Sequence, residues 1–372
     1  MRQKSQKLLL CWCSCLATLS HCSSLSLLGL HSAGDLLWGP VPVPHMQHVV
    51  IRHCKVGTGR WACYRASRLC GLQVKAHPGT GRTSRPCRPG SCGGCRRLRR
   101  NTLLCSPLEE GVKNTVVTGG SDGIGRAYAF ELAGRGLNVV ILSKTKDKLD
   151  RVALEIAETT GQKVKVIVAD FTEDDMYECI EEKLKGLYIG VLVNNVGILP
   201  SYIPCKFLQT EDLEQRITKM INCNVKALVK MCQIVLPGME MRGKGVIVNI
   251  SSGLASVPSP IYTMYCASKV FVERFSQGLQ AEYKAKGIMI QAVAPFGVST
   301  PMTGYQKPNM VTLTAEDFVR TSLEYLLAGD KTYGSICHTV LGWMVKTVPQ
   351  QILHSESMQD SLLEYVKKRV EK

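Results

Sequence analysis

A glycine-rich turn between an apolar strand and a helix is the feature that most constrains the fold. Residues 115–118 predict a strand, and the turn follows as Thr118-Gly119-Gly-Ser-Asp-Gly123-Ile-Gly125, with a helical pattern over 126–135. Glycines let a backbone approach a pyrophosphate, and the start of a helix supplies free N–H groups for its charge. The turn therefore predicts a dinucleotide-binding site.

Five further apolar runs alternate with helical segments after this turn. They span residues 137–142, 163–168, 189–193, 245–252 and 288–294. Strands that alternate with helices favour parallel pairing with helices on both faces of the sheet. Residues 111–345 are therefore predicted to form one α/β domain, a Rossmann-like doubly wound parallel sheet.

Residues 1–110 differ in composition from the rest of the chain. They contain 16 Lys and Arg against 3 Asp and Glu, so they carry most of the net charge of +16, and they hold 11 of the 17 Cys. The uncharged Leu-rich stretch 8–30 follows three basic residues and is a candidate membrane or signal segment, although five Ser lower its hydrophobicity. Otherwise this part is predicted to be a largely disordered basic segment, because it lacks a helical or strand period.

Two functions for residues 1–110 are disfavoured. Cys92-Gly-Gly-Cys95, with Cys87 nearby, has no second Cys pair or matched His pair, so no metal site is predicted. The Arg-rich run 96–100 lies in no folded motif, so a solvated basic tail is preferred to a nucleic-acid contact.

A reaction centre is predicted where Ser252, Tyr265 and Lys269 occur at fixed spacings. Tyr265 and Lys269 are four residues apart in a segment without Gly or Pro, so a helix places them on one face. An ammonium beside a phenol favours the phenolate; we therefore expect Lys269 to lower the pKa of Tyr265, which then serves as a general acid. Ser252 closes a strand, where its hydroxyl can bond a substrate carbonyl. Taken alone, the same spacing also fits an ordinary surface pair.

The ends of the next strands predict the cofactor. Ser143 and Lys144 follow the second strand, where NAD-binding chains place an acid for the adenosine ribose. Lys144 suits a 2′-phosphate, which favours NADP(H), although an exposed lysine is also common at a strand end. Asp170, after the third strand, can accept from the adenine amino group. The predicted cofactor-binding residues are Gly119, Ser121, Asp122, Gly123, Ile124, Gly125, Ser143, Lys144, Asp170, Asn194, Tyr265, Lys269, Val298 and Thr300.

Two asparagines allow a structural as well as a functional explanation. Asn194 ends the fourth strand, where asparagine side chains can tie a loop to neighbouring strand ends. Asn224 lies within the helical pattern of residues 211–236, where an amide is unfavourable unless it holds a water or marks a backbone kink.

Together these residues resemble the short-chain dehydrogenase/reductase family. The resemblance covers about residues 114–300 and rests on Thr118-Gly119-x-x-x-Gly123-x-Gly125, Asn194-Asn195-x-Gly197, Asn224, Ser252 and Tyr265-x-x-x-Lys269. It implies a catalytic tetrad in which Tyr265 protonates a carbonyl oxygen that Ser252 orients. Lys269 would hold the nicotinamide ribose, and Asn224 would anchor a water relay. The resemblance also implies adenosine-side roles for Asp170 and Asn194.

Within the family, the sequence is similar to microsomal ketosteroid reductases over residues 135–140, 169–175, 194–200, 259–269 and 280–286. This similarity implies NADPH-dependent reduction of a 17-ketosteroid such as androstenedione to a 17β-alcohol such as testosterone, at the endoplasmic reticulum membrane. It also allows a homodimer. The very-long-chain 3-ketoacyl-CoA reductases of fatty-acid elongation share Leu236-Pro-Gly-Met239 and give an alternative function. A non-catalytic nucleotide-binding scaffold is a third, which the intact reaction centre argues against.

A steroid requires a pocket with hydrophobic walls and few hydrogen-bonding groups. The predicted substrate-binding residues are Ser252, Leu199, Tyr262 and Phe296. The family often has Gly directly after the position of Pro295, whereas Phe296 stands here and can wall the pocket. Alternatively, apolar loop residues of this kind complete the core or an oligomer interface.

Residues 346–372 are predicted to form a C-terminal amphipathic tail. Its last residues, from Leu362, have the pattern of a basic amphipathic helix. Such a helix suits a membrane surface or a subunit partner.

Overall fold

The computed structural model describes residues 113–370. The predictions for residues 1–110, namely the candidate membrane or signal segment, the cysteine cluster, the arginine run and the disorder, lie outside the described residues.

Helices and short strands alternate along the described chain. The strands are β1 (Asn114–Thr118), β2 (Asn138–Ser143), β3 (Val164–Val168), β4 (Ile189–Asn194), β5 (Gly245–Ile250), β6 (Ile288–Val293), β7 (Val298–Ser299), β8 (Leu313–Thr314) and β9 (Lys331–Thr332). The helices are α1 (Gly123–Gly134), α2 (Lys146–Thr160), α3 (Tyr177–Leu184), α4 (Leu213–Ile221), α5 (Ala227–Arg242), α6 (Thr263–Tyr283), α7 (Ala315–Glu324), α8 (Ile336–Thr347), α9 (Gln350–Leu353) and α10 (Glu356–Val370).

Seven of these strands form one parallel sheet in the order β3-β2-β1-β4-β5-β6-β9. Two apolar cores flank it, because neighbouring strand residues such as Val116 and Val117 point to opposite faces. The chain runs outward from β1 to β3 and then returns to β4 on the other side of β1. Connections that leave in opposite directions open a crevice at the carboxyl ends of these two strands. The predicted doubly wound sheet is confirmed.

All six predicted strands occur, and their ends lie within two residues of the predicted limits. The seventh strand, β9, and the separate β7–β8 pair were missed. Each of these three strands has only two residues, too few for an alternating or continuous apolar pattern to be recognised.

The long helix predicted around Asn224 is interrupted. Helices α4 and α5 are joined by a π-helical turn over Asn222–Lys226. A π turn inserts one extra residue into the helical hydrogen-bond pattern and often marks a functional site. A backbone kink was one explanation of Asn224 in a helical pattern, and the π turn is such an irregularity.

Within the described residues, three helices, α8 to α10, follow β9. Across residues 113–370, none of the helices combines the length and the apolar character that a membrane crossing requires.

Candidate active site

The crevice at the switch between β1 and β4 opens into a cavity of about 800 Å³. The predicted site residues that line it are Gly119, Asp122, Gly123, Ile124, Ser143, Lys144, Asp170, Leu199, Ser252, Tyr262, Tyr265, Lys269, Phe296, Val298 and Thr300. Four other predicted site residues, Ser121, Gly125, Asn194 and Asn224, do not line it. Ser121, Gly125 and Asn224 lie against residues that do, and Asn194 precedes the lining residue Asn195.

The glycine turn is closely packed against the end of β4. Gly119 has a φ of +67°, which favours glycine, and its N–H donates to Leu142 O at 2.7 Å. A Cβ placed on Gly125 would lie 2.2 Å from Gly119 O and 2.5 Å from the side-chain nitrogen of Asn195. Asn195 Nδ2 in turn donates to Thr118 O at 3.0 Å. These contacts fix the turn at the opening of the cavity and require glycine at position 125.

The side chains of Ser121 and Asp122 shape the turn. Ser121 Oγ donates to Ser143 Oγ at 2.9 Å and joins the turn to the end of β2. Asp122 Oδ1 accepts from Gly123 N at 2.8 Å and so caps helix α1. The same oxygen accepts from Tyr305 Oη at 3.2 Å, which holds the loop after β7 against the turn.

Lys144 and Asp170 stand at the predicted adenosine end of the cavity. Asp170 Oδ1 accepts from the backbone N–H and the hydroxyl of Thr172, at 3.0 and 2.8 Å. Burial raises the pKa of Asp170, but these two hydrogen bonds and the charges of Lys144 and Lys219 outweigh it and hold the pKa below its ordinary value. Asp170 is therefore an ionised acceptor at neutral pH.

Asn194 has its side chain inside the core. Asn194 Nδ2 donates to Asn249 Oδ1 at 2.9 Å, and Asn249 Nδ2 donates to Ser276 Oγ at 2.9 Å. This chain of amides ties β4 to β5 and to helix α6, as the structural explanation of Asn194 predicted. The asparagine that lines the cavity is its neighbour, Asn195.

The reaction centre forms where β5 ends beside helix α6. Tyr265 and Lys269 lie one turn apart on α6 and are only 7% and 4% exposed. Ser252 follows β5, caps a short 3-10 helix through its contact with Leu254 N, and is hydrogen-bonded to Tyr265. The predicted meeting of these three residues is confirmed, and their burial rules out an ordinary surface pair.

The predicted direction of the Tyr265 pKa is wrong. Burial raises this pKa to about 12, and the hydrogen bond to Ser252 offsets only part of that effect. Lys269 Nζ donates to Ile250 O at 3.0 Å and lies 5.8 Å from the centroid of the Tyr265 ring. Burial also lowers the pKa of Lys269 to about 8. The i,i+4 spacing placed the ammonium correctly, but the spacing did not reveal that both groups lose water.

Asn224 acts from behind the cavity surface. Its Oδ1 accepts from Ile198 N at 2.8 Å, and its Nδ2 donates to Ile198 O and to Ser268 Oγ, each at 3.0 Å. The amide therefore holds the loop after β4 against helix α6. A Cβ placed on Gly197 in this loop would lie 3.1 Å from Lys269 Nζ, so the loop passes directly beside the buried amine.

A buried charged group behind Lys269 was missed from the sequence. Glu273, one turn further along α6, pairs with Lys331 of β9 at 2.7 Å, and these side chains are only 11% and 20% exposed. Ser251 Oγ lies 3.2 Å from Glu273 Oε1 and 2.9 Å from Lys269 O. The group anchors the catalytic helix to the sheet. A glutamate four residues after Lys269 was the available signal, but its partner could not be identified from sequence.

The substrate side of the cavity is apolar and includes the C-terminal helix. Leu362, Tyr365 and Val366 of α10 join Leu199, Tyr262, Phe296 and Met302 in lining it. Gln306 Nε2 donates to Tyr365 Oη at 3.2 Å, and Val366 is buried. One face of the tail that was predicted to meet a membrane or a partner therefore closes the cavity of its own chain.

Comparison with known proteins agrees with this geometry. The sequence matches the short chain dehydrogenase family over residues 113–310. A 17-beta-hydroxysteroid dehydrogenase type 3 of Danio rerio is 64% identical over 273 residues, which cover 72% of this chain and 89% of the relative. A very-long-chain 3-oxoacyl-CoA reductase of Anas platyrhynchos is 50% identical over 235 residues, covering 63% of this chain and 75% of the relative.

Among solved structures, a short-chain dehydrogenase from Sphingobium yanoikuyae in complex with NADPH superimposes with a TM-score of 0.56 and 28% identity. The superposition covers 64% of this chain and 97% of that structure. The family match spans the glycine turn and the cluster of Ser252, Tyr265 and Lys269. The chain therefore belongs to the short chain dehydrogenase family, and it is an oxidoreductase that acts on CH–OH and C=O groups.

Proposed function

We propose that the chain reduces a 17-ketosteroid, such as androstenedione, to the 17β-alcohol with NADPH. The observation that carries this proposal is an apolar cavity of about 800 Å³ in which the hydrogen-bonded hydroxyls of Ser252 and Tyr265 lie. A steroid is rigid and apolar and presents a carbonyl at one end, so it requires such walls and a few polar groups at the reacting atom. The 64% identity to a protein named 17-beta-hydroxysteroid dehydrogenase type 3 supports the same substrate class.

The cofactor end fits NADPH. The turn at Gly119 and Gly125 has no room for a Cβ at position 125, as expected where a backbone must approach a pyrophosphate. Lys144 at the end of β2 is suited to the 2′-phosphate, Asp170 to the adenine amino group and Lys269 to the nicotinamide ribose. When bound, NADPH supplies the hydride that the carbonyl carbon accepts.

Tyr265 provides the proton. Because its pKa is about 12, the phenol is protonated at neutral pH and can donate its proton to a carbonyl oxygen as negative charge develops there. Ser252 supplies a second hydroxyl at the same point, and two donors aimed at one oxygen stabilise that charge. A protonated phenol suits reduction, since the reverse reaction requires a phenolate.

Lys269 supports the phenolate that remains after proton transfer. With a pKa of about 8, its amine is mainly protonated at pH 7. A nearby cation lowers the free energy of the phenolate more than that of the phenol. Asn224 and Glu273 act as positioning residues, because they hold the loop and the helix on either side of Lys269.

Reduction of a 3-ketoacyl-CoA is the second candidate, favoured by the 50% identity to a very-long-chain 3-oxoacyl-CoA reductase. Coenzyme A carries phosphates that basic residues would have to meet. Lys206, in the segment between β4 and α4, is exposed and does not line the cavity. The steroid therefore fits the site better.

Turnover by the full chain expressed in microsomes tests this proposal. With androstenedione, we expect NADPH consumption and formation of the 17β-alcohol, and Tyr265→Phe should reduce kcat by about 100-fold or more because it removes the acid. Tyr283→Phe, the same change at the end of the same helix, should leave kcat unchanged.

The outcomes separate the alternatives. Full activity of Tyr265→Phe would exclude Tyr265 as the acid. NADPH binding by a wild-type chain that reduces neither ketone would favour a scaffold. Turnover of a 3-ketoacyl-CoA without turnover of the steroid would favour the second candidate. The endoplasmic reticulum location and a homodimer stay predictions from resemblance, to be checked by cell fractionation and by the mass of the purified chain.

A further inference from the structure

A histidine from the C-terminal part of the chain lies directly behind the substrate wall. His338, on α8, is completely buried. Its Nδ1 accepts from the backbone N–H of Phe296 at 3.4 Å, and its Nε2 lies 3.0 Å from Val311 O. A ring nitrogen that accepts carries no proton, so Nε2 must be the donor in a neutral ring. Burial lowers the pKa of His338 and keeps the ring in that neutral form.

The ring of Phe296 packs against Tyr333, His338 and Gly253. Its ring stacks on Tyr333, with centroids 5.7 Å apart, and meets the edge of His338 at 6.0 Å. A Cβ placed on Gly253 would lie 2.5 Å from the Phe296 ring, and Gly253 N donates to Pro295 O at 2.6 Å. The ring is therefore fixed against the residue that follows Ser252.

Tyr333 joins the same wall to the reaction centre. Its Oη lies 2.9 Å from the hydroxyl of Ser256, at the end of the short 3-10 helix that Ser252 caps. A Cβ placed on Gly342 would lie 2.4 Å from the Tyr333 ring, so α8 packs directly on this tyrosine. Tyr333 and His338 both lie beyond residue 310, where the family match ends.

We propose that His338 and Tyr333 are positioning residues that fix Phe296 as a rigid wall and thereby select a bulky, rigid ketone. This inference rests on the proposed function for the substrate class. If the Phe296 wall is displaced, a rigid substrate loses contacts because it cannot change its shape. A small ketone makes few contacts with this wall, so its binding should change little. The consequence is a change in substrate binding with little change in the chemical step, because neither residue lines the cavity.

Steady-state kinetics of the full chain tests the selection. His338→Ala should raise KM for androstenedione about 10-fold, the loss expected when two hydrogen bonds to the wall are removed, with kcat within about threefold of wild type. KM for cyclohexanone and the Kd of NADPH should change less than about twofold. His338→Gln retains an acceptor and a donor, so its KM for androstenedione should lie between those of His338→Ala and the wild type. His354→Ala, at an exposed histidine, should behave as wild type.

Tyr333→Phe is the milder variant. It keeps the aromatic stack and removes only the contact with Ser256, so KM for androstenedione should rise about threefold. This variant keeps the inference testable if His338→Ala does not fold. Equal losses of kcat/KM for androstenedione and cyclohexanone would overturn the inference, as would steroid kinetics within twofold of wild type for both variants.

Amide hydrogen exchange tests the wall without any substrate. Peptides that contain residues 294–298 and 309–313 should exchange faster in His338→Ala than in wild type or His354→Ala, because Phe296 N–H loses its acceptor. Unchanged exchange would overturn the inference. Faster exchange in a chain that reduces no steroid would instead refute the proposed substrate and leave the positioning role supported.

Discussion

Substitution of Gly125 by alanine tests how the glycine turn holds the cofactor. The added Cβ would lie 2.2 Å from Gly119 O and 2.5 Å from Asn195 Nδ2, far inside ordinary contact distance. Neither neighbour can move alone. Gly119 N donates a hydrogen bond to Leu142 O, and Asn195 Nδ2 donates one to Thr118 O. The methyl group must therefore displace the whole turn.

Overpacking of this kind destabilises a folded protein by about 1–3 kcal/mol. If the free energy of NADPH binding becomes less favourable by a comparable amount, the affinity for NADPH falls by about 10- to 100-fold. Fluorescence titration with NADPH and urea unfolding of the same samples would measure both effects.

Gly134→Ala provides the matched control on helix α1. Gly134 is exposed and has no atom within 4 Å of the position that a Cβ would take. Alanine is a better helix former, so this variant should bind NADPH normally and be unchanged or up to about 1 kcal/mol more stable. If Gly125→Ala bound NADPH as tightly as Gly134→Ala, the close packing of the turn would not govern cofactor binding.

Two further predictions concern lysines. Burial lowers the pKa of Lys269 from 10.5 to about 8. Between these two pH values the unfolded chain therefore binds more protons than the folded chain. The free energy of unfolding of the wild type should rise across that pH window by up to about 3 kcal/mol relative to that of Lys269→Met. Urea unfolding at a series of pH values would show this, and parallel curves for the two proteins would contradict it. Lys144→Ala should weaken NADPH binding by about 10-fold and leave NADH binding unchanged, because only NADPH carries the 2′-phosphate. The control Lys146→Ala, at a neighbouring exposed lysine, should change the binding of neither cofactor. Equal losses for NADPH and NADH in isothermal titration would exclude a phosphate contact.

Local patterns in the sequence were sufficient for the main elements of the fold and for part of the site. Six strands are mainly apolar stretches, and their alternation with helices leaves few topologies other than a doubly wound sheet. The spacing of Tyr265 and Lys269 placed both on one helix face, and the position of Ser252 at a strand end brought it to the same crevice. Each of these inferences depends on residues that are close together in the chain.

Contacts between distant segments could not be obtained in this way. Tyr305 and Asp122 are 183 residues apart, Lys331 and Glu273 are 58 apart, and both pairs join elements with no common sequence pattern. The closure of the cavity by α10 was missed for the same reason, since an amphipathic helix shows that it has an apolar face but not which surface covers that face.

The sequence by itself determined the elements, their order and the chemistry of the reacting residues, because backbone preference and side-chain spacing act over a few neighbours. Only the tertiary structure decided how those residues behave. The pKa of Tyr265 is raised because folding removes water from the phenol, and this loss outweighs the neighbouring charge that the sequence made visible. The wall at Phe296 was likewise decided by packing, since its support comes from a histidine 42 residues away.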